Sequence, residues 1–308
     1  MPDELPRIPK KRRPRNKPRS DAWLQQNLNA YRPSFTFRCA LPVIASTAAV
    51  CWGMGITLIY NNSKAIEHEI DYTDCSNGGD LWQTKVEDSK KICTHEFHLE
   101  QEYKGDVTFY YGLDGFYQNI RKYHQSRNDH QLRSHDLRAT EDCYPYEHSK
   151  VNGRELPIVP CGAVANSMFN DTFTLYRVID GNHVKVDWTA LDIVDPRFRE
   201  KKYKNPKTCR GNITTCPGFE NTAKPEDWTR HIAEIGDVET GRALENADFI
   251  IWMETSALPN FRKVYRKLRV LPANENKDGL NVGRYVLEIV DTERASNGFV
   301  RLQTSNNK

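Results

Sequence analysis

The chain lacks the motifs that usually announce enzyme chemistry. It has no phosphate-cradling G-x-x-x-x-G-K, no G-x-S-x-G nucleophile elbow and no H-E-x-x-H metal pair, which argues against P-loop nucleotide hydrolysis, serine esterase chemistry and zinc proteolysis. His95-Glu96-Phe97-His98 sets its histidines three apart instead of four and reads as ordinary surface. D-x-D, the carboxylate pair that holds a metal-bound sugar nucleotide, is also missing, because Asp192 and Asp195 stand one residue too far apart. There is no C-x-x-C, and His and Cys do not cluster at zinc spacings, so neither a metal nor another cofactor is expected. Spacing and motifs give no positive case for catalysis, and a lumenal enzyme is the least supported reading.

Long apolar runs are scarce as well; one stands out. Cys39 to Tyr60 contains no charged side chain, and about 22 helical residues cover roughly 30 Å, the hydrocarbon thickness of a bilayer. It shows no polar face, unlike a surface-packed core helix, and it is too long and too far from the N-terminus for a signal peptide. A transmembrane helix over 38–60 is therefore expected. Between Met1 and Arg38 ten Lys/Arg face three acidic residues; the whole chain carries only +3, so the remainder is net acidic. Basic flanks stay on the cytoplasmic side, which makes residues 1–37 a cytosolic basic tail and places everything after the span on the exoplasmic side. The Lys10–Arg19 stretch, KKRRPRNKPR, reads as a disordered topology signal leaning on anionic lipid, so the lipid bilayer is the expected partner and nucleic acid is not. Trp23, Leu24, Leu28 and Tyr31 share one helical face, predicting a short interfacial helix ended by Pro33.

Two of eight cysteines, Cys39 and Cys51, lie in the span; Cys75, Cys93, Cys143, Cys161, Cys209 and Cys216 follow it. Six cysteines allow fifteen pairings, and sequence alone does not choose; sequential pairing closes the shortest loops and is the expectation. The N-x-S/T sequons are Asn61, Asn170 and Asn212. Asn61 lies against the bilayer, leaving Asn170 and Asn212 as the credible glycan sites. Segments 107–113, 173–179, 183–188, 247–253 and 283–290 read as strands, with a hairpin over 173–188 turning at Asp180-Gly181-Asn182. Segments 114–127 and 258–268 have helical potential. The fold class is thus a membrane protein with one N-terminal transmembrane α-helix and an antiparallel, β-rich (α+β), disulfide-bonded ectodomain over 61–290, followed by a divergent polar tail, 291–308.

Three passages carry a specific resemblance. Pro160 to Phe173 reads P-C-G-A-V-A-N-S-M-F-N-D-T-F; Phe249 to Met253, Ala257-Leu258-Pro259 and Phe261 to Tyr265 form a second block; Tyr111-Gly112-Leu113 through Phe116-Tyr117-Gln118-Asn119, Tyr123, Ser126-Arg127 and Gln131-Leu132 form a third. Shorter echoes are Gln25-Gln26, Tyr31-Arg32-Pro33, Val186-Asp187-Trp188 and Lys224 to Trp228. In this order the chain resembles the cell cycle control protein 50 / transmembrane protein 30 family, accessory β-subunits of type IV P-type ATPases, the phospholipid flippases. The resemblance implies a non-catalytic partner in a heterodimer, supporting exit of the ATPase from the endoplasmic reticulum and aminophospholipid transport, in endoplasmic reticulum, Golgi and plasma membrane. It implies a Cys143–Cys161 bridge, leaves Cys75 and Cys93 as remnants of a richer cluster, and puts Asn170 on a glycosylated position. Cys209 and Cys216 have no counterpart there. Glu254 stands where the family often has a basic residue. Family members carry a second transmembrane helix near the C-terminus; residues 291–308 are polar and too short to span, so a truncated form is expected. Small residues Ala45, Ser46, Ala48, Ala49, Gly53 and Gly55 suit close packing of the span, and Arg262 to Lys267 is a candidate contact or a solvated basic helix face. The alternative function is a single-span receptor or adhesion ectodomain binding an extracellular ligand.

Overall fold

A computed structural model describes residues 16–29, 36–63, 65–73, 75, 83–87, 90–209, 216–269, 279–291 and 298–304. It divides into two units, Met1–Tyr60 and Asn61–Lys308.

In the first unit the interfacial helix expected over 23–31 shows, among the described residues, a turn at 22–26, where the Gln25 N–H donates to the Asp21 carbonyl over 3.0 Å; Tyr31 and Pro33 lie outside the described residues. Five residues close too few hydrogen bonds to propagate a helix. Helix α1, Phe37–Asn62, covers the apolar run with every described side chain exposed or half-exposed. Its polar side chains are satisfied internally, as hydrocarbon demands: Thr47 Oγ1 bonds the Val43 and Ile44 carbonyls, Ser46 Oγ that of Val43 and Thr57 Oγ1 that of Gly53. Asn61 is exposed in the last turn. Asn212 lies outside the described residues.

The second unit is built on two five-stranded antiparallel sheets. Its principal strands are β1 Glu67–Asp71, β2 Gln83–Glu87, β3 Lys90–Leu99, β4 Val107–Leu113, β5 Thr172–Ile179, β6 Asn182–Lys185, β7 Trp188–Thr189, β8 Phe261–Leu268, β9 Gly283–Asp291 and β10 Gly298–Thr304. Short helices lie between them: α2 Arg121–Gln125, α3 Asp129–Leu132, α4 Ala163–Asn166, α5 Pro196–Lys202 and α6 Ala247–Met253. One sheet runs β1-β10-β4-β8-β7, the other β2-β3-β9-β5-β6. They meet across an aromatic core: Phe109 on β4 packs 5.5 Å from Phe173 on β5, and His68 on β1 stacks 4.9 Å from Phe97 on β3. The hairpin β5–β6 forms as predicted, turning through Asp180 and Gly181 at positive φ. Three disulfides join Cys75–Cys93, Cys143–Cys161 and Cys209–Cys216.

Several expectations change. Ala247–Met253, read as a buried strand, is helix α6, capped by the Asn246 side chain, which accepts from the Phe249 N–H. A short continuous apolar run suits a strand buried on both faces or a helix buried all round, and the cap decides for the helix. Residues 258–268, read as helical, yield β8, bulged between Val264 and Arg266; its β-branched and aromatic residues pair with β4. Only Arg121–Gln125 of 114–127 is helical (α2).

The expected polar tail is also corrected. Residues 298–304 form β10, between β1 and β4, so the sheet extends past the boundary drawn at 290. Its side chains alternate: Val300 and Leu302 enter the core, while Phe299, Arg301 and Gln303 point outward. Phe299 lies over Gly112, where an added Cβ would sit 2.1 Å from the ring, so that glycine makes room for an aromatic cross-strand cover. Thr304 N–H reaches the Ile66 carbonyl at 3.2 Å, closing the sheet next to the start of the ectodomain.

Candidate functional site

The resembling passages meet at one buried helix. Helix α4, Ala163–Asn166, follows Gly162, whose φ of +99° lets the chain turn hard against the backbone of Ser126. Trp252 Nε1 donates to the Val164 carbonyl at 2.7 Å, and Trp228 Nε1 to the Ala165 carbonyl at 2.8 Å. Asn166 and Asp227 clasp each other: Asn166 Nδ2 donates to Asp227 Oδ2 at 2.7 Å, and the Asp227 N–H returns to Asn166 Oδ1 at 3.2 Å. Two tryptophans from distant segments thus add indole donors to the last carbonyls of this four-residue helix, where Val164 otherwise accepts from Ser167 Oγ at 3.3 Å and Ala165 from the Met168 N–H at 3.1 Å. Gln131, 1% exposed, anchors the disulfide side: its Oε1 accepts from the Cys161 N–H at 2.9 Å, while Nε2 donates to Leu137 and Ile158.

The basic run of β8 does not form one face. Arg262 pairs with Glu67 at 3.4 Å, within a ladder that continues from Glu67 to Arg301 at 3.0 Å and on to Glu69. Lys267 donates to the Asp192 carbonyl. Arg266 grips Asp248 through both guanidinium nitrogens, at 2.5 and 3.1 Å. Burial pulls Arg266 down, but Asp248 more than offsets this and leaves it above its ordinary value. Lys263 is buried, and its Nζ donates to the Ile251 carbonyl at 2.8 Å, to that of Trp252 at 3.2 Å and to that of Glu254. It caps the C-terminal end of α6, where the helix dipole favours a cation. Glu254, singled out for its charge, thus contributes its carbonyl to this cap. Nothing in the spacing of 258–268 marks Lys263 as internal; the alternation of a strand, once known, does.

Burial lowers Lys263 to about 8, with Glu254 opposing the shift. Its ordinary value is 10.5, so between these limits the unfolded chain binds more protons than the folded one, and stability should rise with pH. Relative to Lys263→Met, the wild-type chain should gain stability from about pH 8 upwards, read as melting temperature in detergent; a difference flat across that window would mean the ammonium is not desolvated. Near pH 7 the substitution should cost roughly 1–3 kcal/mol, because it orphans buried carbonyls.

Beside this core lies a cavity of about 460 Å³, lined among others by Phe169, Asn170, Asp171, Trp228, Arg230 and Arg266. Asn170 is exposed and Asp171 buried. No group of three His, Cys, Asp or Glu side chains able to hold a metal occurs among the described residues.

An apolar helix long enough to cross a membrane, the one such helix among the described residues, followed by a disulfide-bonded two-sheet ectodomain whose motif residues act as structural joints, defines a membrane protein with a β-rich ectodomain. Residues 58–293 match the model of the LEM3 (ligand-effect modulator 3) family / CDC50 family, and the chain belongs to this family. Cell cycle control protein 50C of Bos taurus is 36% identical over 272 residues, covering 87% of this chain and 77% of the relative. Cell cycle control protein 50B of Homo sapiens is 34% identical over 265 residues, covering 82% and 74%. ALA-interacting subunit 3 of Arabidopsis thaliana is 29% identical over 265 residues, covering 82% and 67%.

Proposed function

We propose that this chain is a non-catalytic accessory subunit that forms a heterodimer with a type IV P-type ATPase, supporting the exit of that enzyme from the endoplasmic reticulum and its transport of aminophospholipid. The observation that carries the reading is the use made of the motif residues: Trp228, Trp252 and Lys263 spend their polar groups on backbone carbonyls, and Asn166 spends its amide on Asp227. Side chains committed to holding a shape suit a binding partner better than a reaction centre. The family and the name of the plant relative, an interacting subunit, support the same reading. In it the N-terminus is cytosolic, the ectodomain exoplasmic, and the protein moves with its partner through endoplasmic reticulum, Golgi and plasma membrane. The span holds the ectodomain at high effective concentration beside the partner's exoplasmic loops.

The test is co-purification. The tagged chain, expressed with a type IV P-type ATPase and extracted in mild detergent, should elute with it at equal stoichiometry and increase the fraction of ATPase beyond the endoplasmic reticulum. Absence of association when both chains are well expressed would sink the proposal.

A further inference from the structure

The structural role of the motif core leaves the adjoining cavity unexplained. Its volume falls in the range of ligand clefts. The lining combines aromatic rings, Phe169, Trp228 and Tyr265, with the carboxylates of Asp171, Asp227, Asp237 and Asp248 and the guanidiniums of Arg230 and Arg266. Four acidic groups against two basic ones disfavour an anion, and the described residues offer no metal cluster. The carboxylates are already oriented: Asp248 by Arg266, Asp227 by Asn166, and Asp237 by the Thr240 N–H and hydroxyl. Arg230 is exposed and makes no hydrogen bond or ion pair among the described residues. Fixed acceptors, an available five-donor fork and ring faces together suit a neutral, hydroxyl-rich ring, whose C–H face packs on aromatics and whose hydroxyls bond to acids and Arg.

The acceptor for such a ligand stands in the same wall. Asn170, exposed, begins the sequon Asn170-Asp171-Thr172, and all three residues line the cavity. A second cleft of about 410 Å³ shares Thr172, Tyr265 and Arg266 with the first as wall residues. We propose that this cavity is a carbohydrate seat that receives the N-acetylglucosamine core of a glycan carried by Asn170. The proposal rests on the exoplasmic placement of the ectodomain.

The experiment uses the full chain from a glycosylating cell line, purified in mild detergent, with site occupancy read by peptide mass. Peptide-N-glycosidase should release the Asn170 glycan about tenfold more slowly from the native than from the denatured protein, the effect expected of two or three net hydrogen bonds. Arg230→Ala leaves the sequon intact and should restore fast native release at an unchanged melting temperature. Native release as fast as denatured release, or slow release unaffected by Arg230→Ala, overturns the seat. If Asn212 is modified and Asn170 is not, the attached source is wrong. The Asn170→Gln chain is then titrated with N,N′-diacetylchitobiose: binding that Arg230→Ala abolishes retains the cavity as a site for free carbohydrate, and absence of binding overturns it. No glycan at any sequon instead refutes the exoplasmic placement.

Discussion

Replacing Trp252 with alanine should lower the melting temperature of the full chain by on the order of 10 °C, a loss of about 3–5 kcal/mol for a deleted core indole. The side chain is 1% exposed, its ring packs against Phe116 and Phe169 at centroid distances of 5.6 and 6.4 Å, and its Nε1 is the donor to the Val164 carbonyl. Three costs therefore coincide: lost apolar burial, a cavity, and loss of the shorter of two donors to the Val164 carbonyl, which keeps Ser167 Oγ at 3.3 Å. Trp252→Phe separates them. It keeps most of the ring contact and removes the donor, so roughly 1–3 kcal/mol should remain. Since domain stability is only about 5–15 kcal/mol, the alanine variant should also expose the ectodomain to limited proteolysis and, on the proposed function, weaken co-purification with a type IV P-type ATPase. An alanine variant melting within about 2 °C of wild type, less than 1 kcal/mol on this scale, would show that α4 does not depend on the indole.

Gly162→Ala should be comparably severe, for a different reason. Its φ of +99° is strained for any L side chain, and an added Cβ would stand 2.1 Å from the Ser126 carbonyl oxygen, which is backbone and has no rotamer to move aside. Strain of about 1–3 kcal/mol is thus joined by a clash that must displace the segment around Ser126. That segment also supplies Ser126 Oγ to the Ala163 N–H at 2.9 Å, so the displacement breaks the start of α4. Gly181→Ala is the matched control: its φ is +80° but nothing lies within 4 Å of the new methyl, so only the conformational term, about 1 kcal/mol, should appear. Equal melting temperatures for the two variants would contradict the close approach at Gly162.

The membrane helix, the β-rich class and the hairpin at Gly181 were legible because each depends on a local pattern: an uncharged run, alternation, a turn dipeptide. Residues 247–253 and 258–268 were misread because both are short segments whose state is set by neighbours. Asn246 caps the first into a helix, and β4 recruits the second as a strand. The alternation Val300-Arg301-Leu302-Gln303 was visible in principle, but a segment with only two inward aliphatic residues becomes a strand only because β1 and β4 flank it.

For the site, the wording of the motif passages could be read directly, and with it the family. What those residues do could not. Sequence by itself determined the span and the order of motifs along the chain, since hydropathy and composition are local properties. Only the tertiary structure decided that Val164 and Ala165 accept from Trp252 and Trp228, that Lys263 is internal, and that Asn170 stands in the wall of a cavity. The physical reason is that a buried polar group must find a partner wherever the fold puts one, and here the partners lie 88 and 63 residues away along the chain.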